Sequence, residues 1–115
     1  MPIIKILKKF HLNKALKYRL EYNKKKEIIY LQRFFKDGKL ERFRNCDPQI
    51  KRCVEISYYP NGEKRMAGSY MNGKKHGMWK YWDKDGECFL MQEYSRGKLQ
   101  RELSQYIDLK HFNLK

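Results

Sequence analysis

Residues 58–87, YYPNGEKRMAGSYMNGKKHGMWKYWDKDGE, carry three turn signals, Asn61-Gly62, Asn72-Gly73 and Asp85-Gly86, each a few positions after an aromatic residue. Stepping outward from Tyr58 in twelves meets Phe10, Tyr22, Phe34, Cys46, Tyr70, Trp82, Tyr94 and Tyr106. Eight of the nine positions are aromatic, in a chain whose aromatic content is 15%. Nine arbitrary positions would hold about one or two, so the rhythm is a repeat.

The turns alternate in kind. After Phe34, Tyr58 and Trp82 the glycine follows four residues on, at Gly38, Gly62 and Gly86; after Tyr70 and Tyr94 it follows three on, at Gly73 and Gly97. Asn-Gly and Asp-Gly favour tight hairpin turns because both residues tolerate positive φ, which the twist of paired strands demands. Between the turns, IIYLQRFF, KRCVEISYY, GMWKYW and ECFLMQEY are short and rich in β-branched and aromatic residues, the chemistry of strands. Each twelve-residue step therefore reads as one strand and one turn. The fold class expected is mainly β, an antiparallel meander of short hairpin repeats. Turns 24 residues apart should share one edge of the sheet, and the intermediate ones the other.

A single domain over 1–115 divides into a basic amphipathic segment at 1–14, the repeats at 15–106 and a C-terminal cap at 107–115. In the first segment Ile3, Ile6 or Leu7, and Phe10 also fall at helical spacing, so a short N-terminal helix is an alternative to a strand. Two units lapse from the pattern: YNKKKE leaves Lys24, Lys25 and Lys26 as a bare basic tip, and NCDPQIK lacks a turn glycine.

The net charge is +14, with 27 Lys and Arg against 13 Asp and Glu, while 41% of residues are apolar. That apolar share argues against disorder and places the charge on a folded surface. Up to Lys26 there are nine basic residues and one acid, Glu21, so a partner drawn by charge meets this end first. Cys46, Cys53 and Cys88 are odd in number and have no C-x-x-C spacing, which suggests neither a disulfide framework nor a zinc ribbon and fits a reducing, cytoplasmic setting. The stretch MPIIKILKKFHL is too short and too broken by lysine for a signal peptide or membrane span.

The alternation of aromatic-x-x-[DN]-G with aromatic-x-N-G, above all in YMNGKKHGMWKYWDKDGE, resembles the MORN-variant repeat family, most closely over residues 58–98 and in weaker form back to about Tyr22. The resemblance implies an array of short antiparallel hairpins. Many bacterial members of that family are labelled antitoxin-like, and related repeats are credited with protein binding or contact with lipid headgroups. The high positive charge and the basic N-terminal segment are departures from it.

Catalytic chemistry finds little footing. His11, His76 and His111 are scattered, and His76, in NGKKHG, fits a turn-shaping role. No Ser-His-Asp order, phosphate-cradling loop or paired-carboxylate motif is present. The cysteines and histidines lack zinc spacing, and Asp83, Asp85 and Glu87 lack that of a calcium loop. No enzyme, metal or cofactor is expected. Phe34, Tyr58, Trp82 and Tyr106 should stack as the hydrophobic spine of the sheet. In GMWKYW, Met78 and Trp82 face one way and Trp79 and Tyr81 the other. If the first face is core, Trp79 and Tyr81 are partly exposed beside Lys75 and Lys80, a setting suited to a protein hot spot or base stacking.

The function expected is that of a non-enzymatic binding module for an acidic macromolecule. An acidic protein, of the toxin- or effector-neutralising type, comes first; nucleic acid and an anionic membrane surface are the alternatives. Lys5, Lys8, Lys9, Lys24, Lys25 and Lys26 would steer the partner, which would then dock around Lys75, Trp79, Lys80 and Tyr81. The sequence leaves open whether the sheet stays open, wraps round or pairs with a second copy.

Overall fold

Alternating half-apolar strands punctuated every dozen residues by residues that accept positive φ can form only a succession of hairpins. The computed structural model, which describes residues 5–104, has nine strands joined in hairpins: β1 (Lys5–Phe10), β2 (Leu16–Tyr22), β3 (Ile28–Phe34), β4 (Leu40–Asp47), β5 (Arg52–Tyr58), β6 (Lys64–Met71), β7 (Lys74–Trp82), β8 (Cys88–Ser95) and β9 (Lys98–Ser104). They form one antiparallel sheet in sequence order, and β1 does not close onto β9. The sheet measures 58 × 36 × 15 Å with a radius of gyration of 17.1 Å. A compact domain of this length would have about 13 Å, so this is a single open layer. The N-terminal segment is strand from Lys5, not helix: Leu7 pairs with Leu20, which pairs with Leu31, and ladder bonds win over the helical reading. The 107–115 cap and Tyr106 lie outside the described residues.

The twelve-residue register has a specific structural meaning. In six of the eight pairings the partner strand carries one extra residue, opposite the steps Lys9/Phe10, Glu21/Tyr22, Arg33/Phe34, Ser57/Tyr58, Tyr81/Trp82 and Glu93/Tyr94. In these six pairings the recurring ring thus marks the bulge, where local twist increases. The expected spine does not form in the way expected. Phe34, Tyr58 and Trp82 are two strands apart, about 9.6 Å, with Leu40, Lys64 and Cys88 as their register partners. Among the described residues the ring-to-ring contacts are Tyr30 with Phe43 and Tyr70 with Trp79.

The best-buried side chain is Trp79, only 1% exposed, whereas Met78 is 41% exposed. The alternation along β7 is as expected, but the faces are exchanged. The reason is Gly68 on β6: a Cβ there would fall inside the Trp79 ring, so the bare backbone leaves the hollow in which the indole lies. Trp79 Nε1 donates to Ser69 O at 3.1 Å, and Tyr70 packs edge-on at 5.1 Å between centroids. Among the described residues Trp79 is the one hydrophobic side chain fully buried, and it is buried against the surface of the sheet itself.

The irregular unit at residues 46–51 is explained by a covalent bond. Cys46 and Cys53 face each other across β4 and β5 and form a disulfide, contrary to the expectation of three thiols. This pairing keeps its register without a bulge, and the bridge stands where the other units place a ring.

Two measurements check this packing. Gly68→Ala should destabilise the fold by about 3 kcal/mol in urea denaturation, because the new methyl cannot coexist with the indole; an unchanged midpoint would place Trp79 elsewhere. Alkylation of the denatured, unreduced chain should modify Cys88 alone, and all three cysteines only after reduction, as mass spectrometry reads directly.

Candidate binding surface

Because the strands alternate direction, the turns collect on two edges. One edge carries the turns at residues 11–15, 35–39, 59–63 and 83–87, each closed by a bond from its first N–H to its last carbonyl: His11 to Ala15, Phe35 to Lys39, Tyr59 to Glu63 and Asp83 to Glu87, 2.8–2.9 Å. These turns are also tied to one another. Asn13 Nδ2 donates to Lys36 O at 2.9 Å and Asn61 Nδ2 to Lys84 O at 2.8 Å. His11 Nε2 lies 3.0 Å from Phe34 O, and the Tyr59 hydroxyl donates to Trp82 O at 2.6 Å. Asp83 Oδ1 accepts the N–H groups of Asp85 and Glu87, so this acid shapes its turn, as its placement in the sequence suggests. His76 has its carbonyl bonded by Ser69 Oγ at 2.6 Å.

The other edge carries the turns at residues 23–27, 47–51, 72–73 and 96–97. Asn23 builds the first. It is 1% exposed; its Oδ1 accepts the N–H groups of Lys25 and Glu27, both at 3.0 Å, and its Nδ2 donates to Glu27 Oε1 at 3.0 Å. The amide fixes the loop so that Lys24, Lys25 and Lys26 all project into solvent. The next turns stack by backbone bonds, Asn72 N–H to Lys51 O and Gly97 N–H to Lys75 O, both 2.9 Å.

The two edges differ in charge. On the second edge Lys24, Lys25, Lys26, Lys51, Arg52, Lys74, Arg96 and Lys98 are all exposed, and none takes part in an ion pair among the described residues. Its two acids are engaged locally, Glu27 by Asn23 and Asp47 Oδ1 by the N–H of Gln49 at 3.0 Å. The ion pairs belong instead to arginines on the strand bodies, chiefly Arg44 with the buried Glu55 at 2.8 Å. The first edge has four exposed lysines, Lys14, Lys36, Lys39 and Lys84, likewise outside the ion pairs, but they stand against five acids, Asp37 and, gathered at the far end, Glu63, Asp83, Asp85 and Glu87. The sheet is therefore polarised from edge to edge.

The docking face expected around β7 is not assembled. Trp79 is buried and offers no ring to a partner. Lys75 lies half-buried with its Nζ 4.7 Å from the Trp79 ring and 5.0 Å from that of Tyr94, a cation engaged by two aromatic faces. Tyr81 is half-buried on the Trp79 face, and Lys80 is exposed on the opposite one. Lys5, Lys8 and Lys9 are exposed on β1, the outermost strand, but Lys8 points to the face opposite the other two. What the structure does bring together is the tri-lysine tip with Lys51, Arg52, Lys74, Arg96 and Lys98, a row that sequence reasoning missed. A signal for it existed: Lys26, Lys74 and Lys98 fall on one series of 24-residue steps, interrupted at Ile50, next to which stands Lys51.

Among the described residues no three His, Cys, Asp or Glu side chains converge as a metal site would require, and there is no helix long and apolar enough to cross a membrane. Neither a protein-family model nor a curated protein matches the chain.

Asn23→Ala removes three hydrogen bonds from a buried site and should lower stability by about 2 kcal/mol. Hydrogen exchange at the Lys25 and Glu27 amides should accelerate well beyond the global loss; exchange unchanged at both would mean that the tip is held by something other than this amide.

Proposed function

We propose that the chain is a non-enzymatic repeat binding module whose basic turn edge engages an acidic protein, of the toxin- or effector-neutralising type. The observation that carries this reading is the row of eight exposed cations with no carboxylate partner. A free cation row costs solvation little and raises the encounter rate with an oppositely charged surface, whereas cations already paired contribute little to either. The resemblance of its repeats to MORN-variant sequences supports the same class.

An acidic protein is favoured over nucleic acid on one ground. Sequence-tolerant binding of single strands relies on exposed ring faces for stacking bases. Beside the basic edge Trp79 is buried and the rings of Tyr70 and Tyr94 are covered by Arg44, 4.7 Å away, and Lys75, while the exposed ring of Phe10 stands at the opposite edge. Attachment to an anionic membrane loses its main support, since the segment expected to form an amphipathic helix is a strand. The Cys46–Cys53 disulfide fits an oxidising compartment, and a cytoplasmic site of action would mean that the bridge is reduced there.

The reading is tested by recovery from native cells with and without nuclease, using the wild type and Lys24→Ser/Lys25→Ser/Lys26→Ser. The expected result is a stoichiometric protein of acidic isoelectric point, recovered despite nuclease, lost from the triple variant and released by moderate salt. Recovery abolished by nuclease would replace the acidic protein with nucleic acid. A partner indifferent to both the variant and salt would overturn an electrostatic site altogether.

A further inference from the structure

Five non-glycine residues among those described have positive φ: Lys14, Lys26, Lys51, Asn72 and Arg96. Four are cations, and three of these, Lys26 (φ 64), Lys51 (φ 54) and Arg96 (φ 51), occupy turns of the basic edge. Side chains with a Cβ are disfavoured in this region, where Gly and Asn are the easy choices. The opposite edge makes the easy choice in three of its four turns, with Gly38, Gly62 and Gly86, and only Lys14 departs from it. A cation at three strained positions along one edge, none of them in an ion pair among the described residues, is not what turn geometry alone would select.

The spacing of these positions is fixed by the ladder. Successive turns on one edge are two strands apart, about 9.6 Å, and four of them span about 29 Å. Lys74 fills the one turn that uses Asn72, and its stem lies against Gly97, so a Cβ on Gly97 would come 3.4 Å from Lys74 Cβ. Cations of neighbouring turns are thereby held side by side. The edge is not straight, however: a twist of about 20–25° per strand rotates it by roughly 120–150° over six strand steps. A rigid helix or a flat protein surface meets only part of such a line. A flexible chain with closely spaced negative charges can follow it from end to end.

Building on the function proposed above, we infer that this edge is a rail for an extended, flexible acidic segment of the partner, a run of Asp and Glu residues lying across the four turns rather than a folded acidic surface. Lys26, Lys51, Lys74 and Arg96 mark its successive contact points. The acids at the far end of the opposite edge repel the same segment and confine it to one side.

The strained positions supply a test that spares the fold, because Asn tolerates left-handed backbone. Lys26→Asn/Lys51→Asn/Arg96→Asn removes three rail cations; Lys14→Asn/Lys36→Asn/Lys39→Asn removes three from the opposite edge. The probe is a fluorescent polyglutamate peptide of about ten residues, whose extended chain covers the rail, with an oligothymidylate of equal charge as the second probe. Anisotropy at low salt should show the rail variant weakened by about tenfold or more for polyglutamate, with a flatter salt dependence, and the opposite-edge variant within about threefold of wild type. Thermal melts should leave both variants at least as stable as the parent. Equal weakening by both variants would overturn the rail while leaving acid binding by overall charge in place. No binding of polyglutamate to the wild type, with oligothymidylate bound in a rail-dependent way, would overturn both the acidic segment and the protein-binding reading on which it rests.

Discussion

Among the described residues a nine-stranded sheet without a second layer has nothing to pack against but itself, and the other features of the fold answer to that constraint. Hydrophobic burial, which ordinarily dominates folding, is confined here to side chains laid flat on the sheet or wedged between neighbours. Lateral ties take over the role of a core. The indole of Trp79 lies in the hollow at Gly68, Arg44 bridges the buried Glu55 and the ring of Tyr70, and Lys75 sits between two aromatic rings. The disulfide between Cys46 and Cys53 closes the pairing that has neither bulge nor ring. Side-chain amides and hydroxyls then fasten turn to turn along the edges.

The same constraint explains where the charge goes. A buried carboxylate needs a counter-charge, so the strand arginines are drawn to Glu21 and Glu55. Turns have no such demand. Their outward side chains are free to carry unpaired charge, and because the meander sends alternate turns to opposite edges, a 24-residue bias in sequence becomes a difference between two sides of the molecule. The basic edge is in this sense a product of the repeat as much as the sheet is.

Much of the fold was legible in the sequence because a period of twelve, punctuated by Asn-Gly and Asp-Gly, admits few architectures. The number and direction of the strands and the division of turns between edges follow from it. What the period did not disclose was which face is covered. GMWKYW is compatible with either, and the deciding residue, Gly68, lies on the neighbouring strand and acts through the side chain it lacks. The helical spacing of Ile3 and Phe10 left a helix open because a six-residue strand with Lys5 at its start and Lys8 and Lys9 before Phe10 satisfies the same pattern. Cys46 and Cys53 could not be paired from spacing, since only the register brings them opposite each other. The tri-lysine tip was visible as a lapse in the repeat; its buried anchor, Asn23, and its alignment with Lys51, Lys74 and Arg96 arise only from the three-dimensional stacking of the turns.

The central claim is that charge segregated onto one line of turns decides what this sheet binds and where. Backbone amide shifts recorded by NMR during titration with an acidic polypeptide test it most directly. The account predicts perturbations concentrated at residues 23–27, 47–52, 72–75 and 95–98, saturating together and fading with added salt. Perturbations centred instead on the turns at 11–15 and 35–39, or spread evenly over both edges, would contradict it.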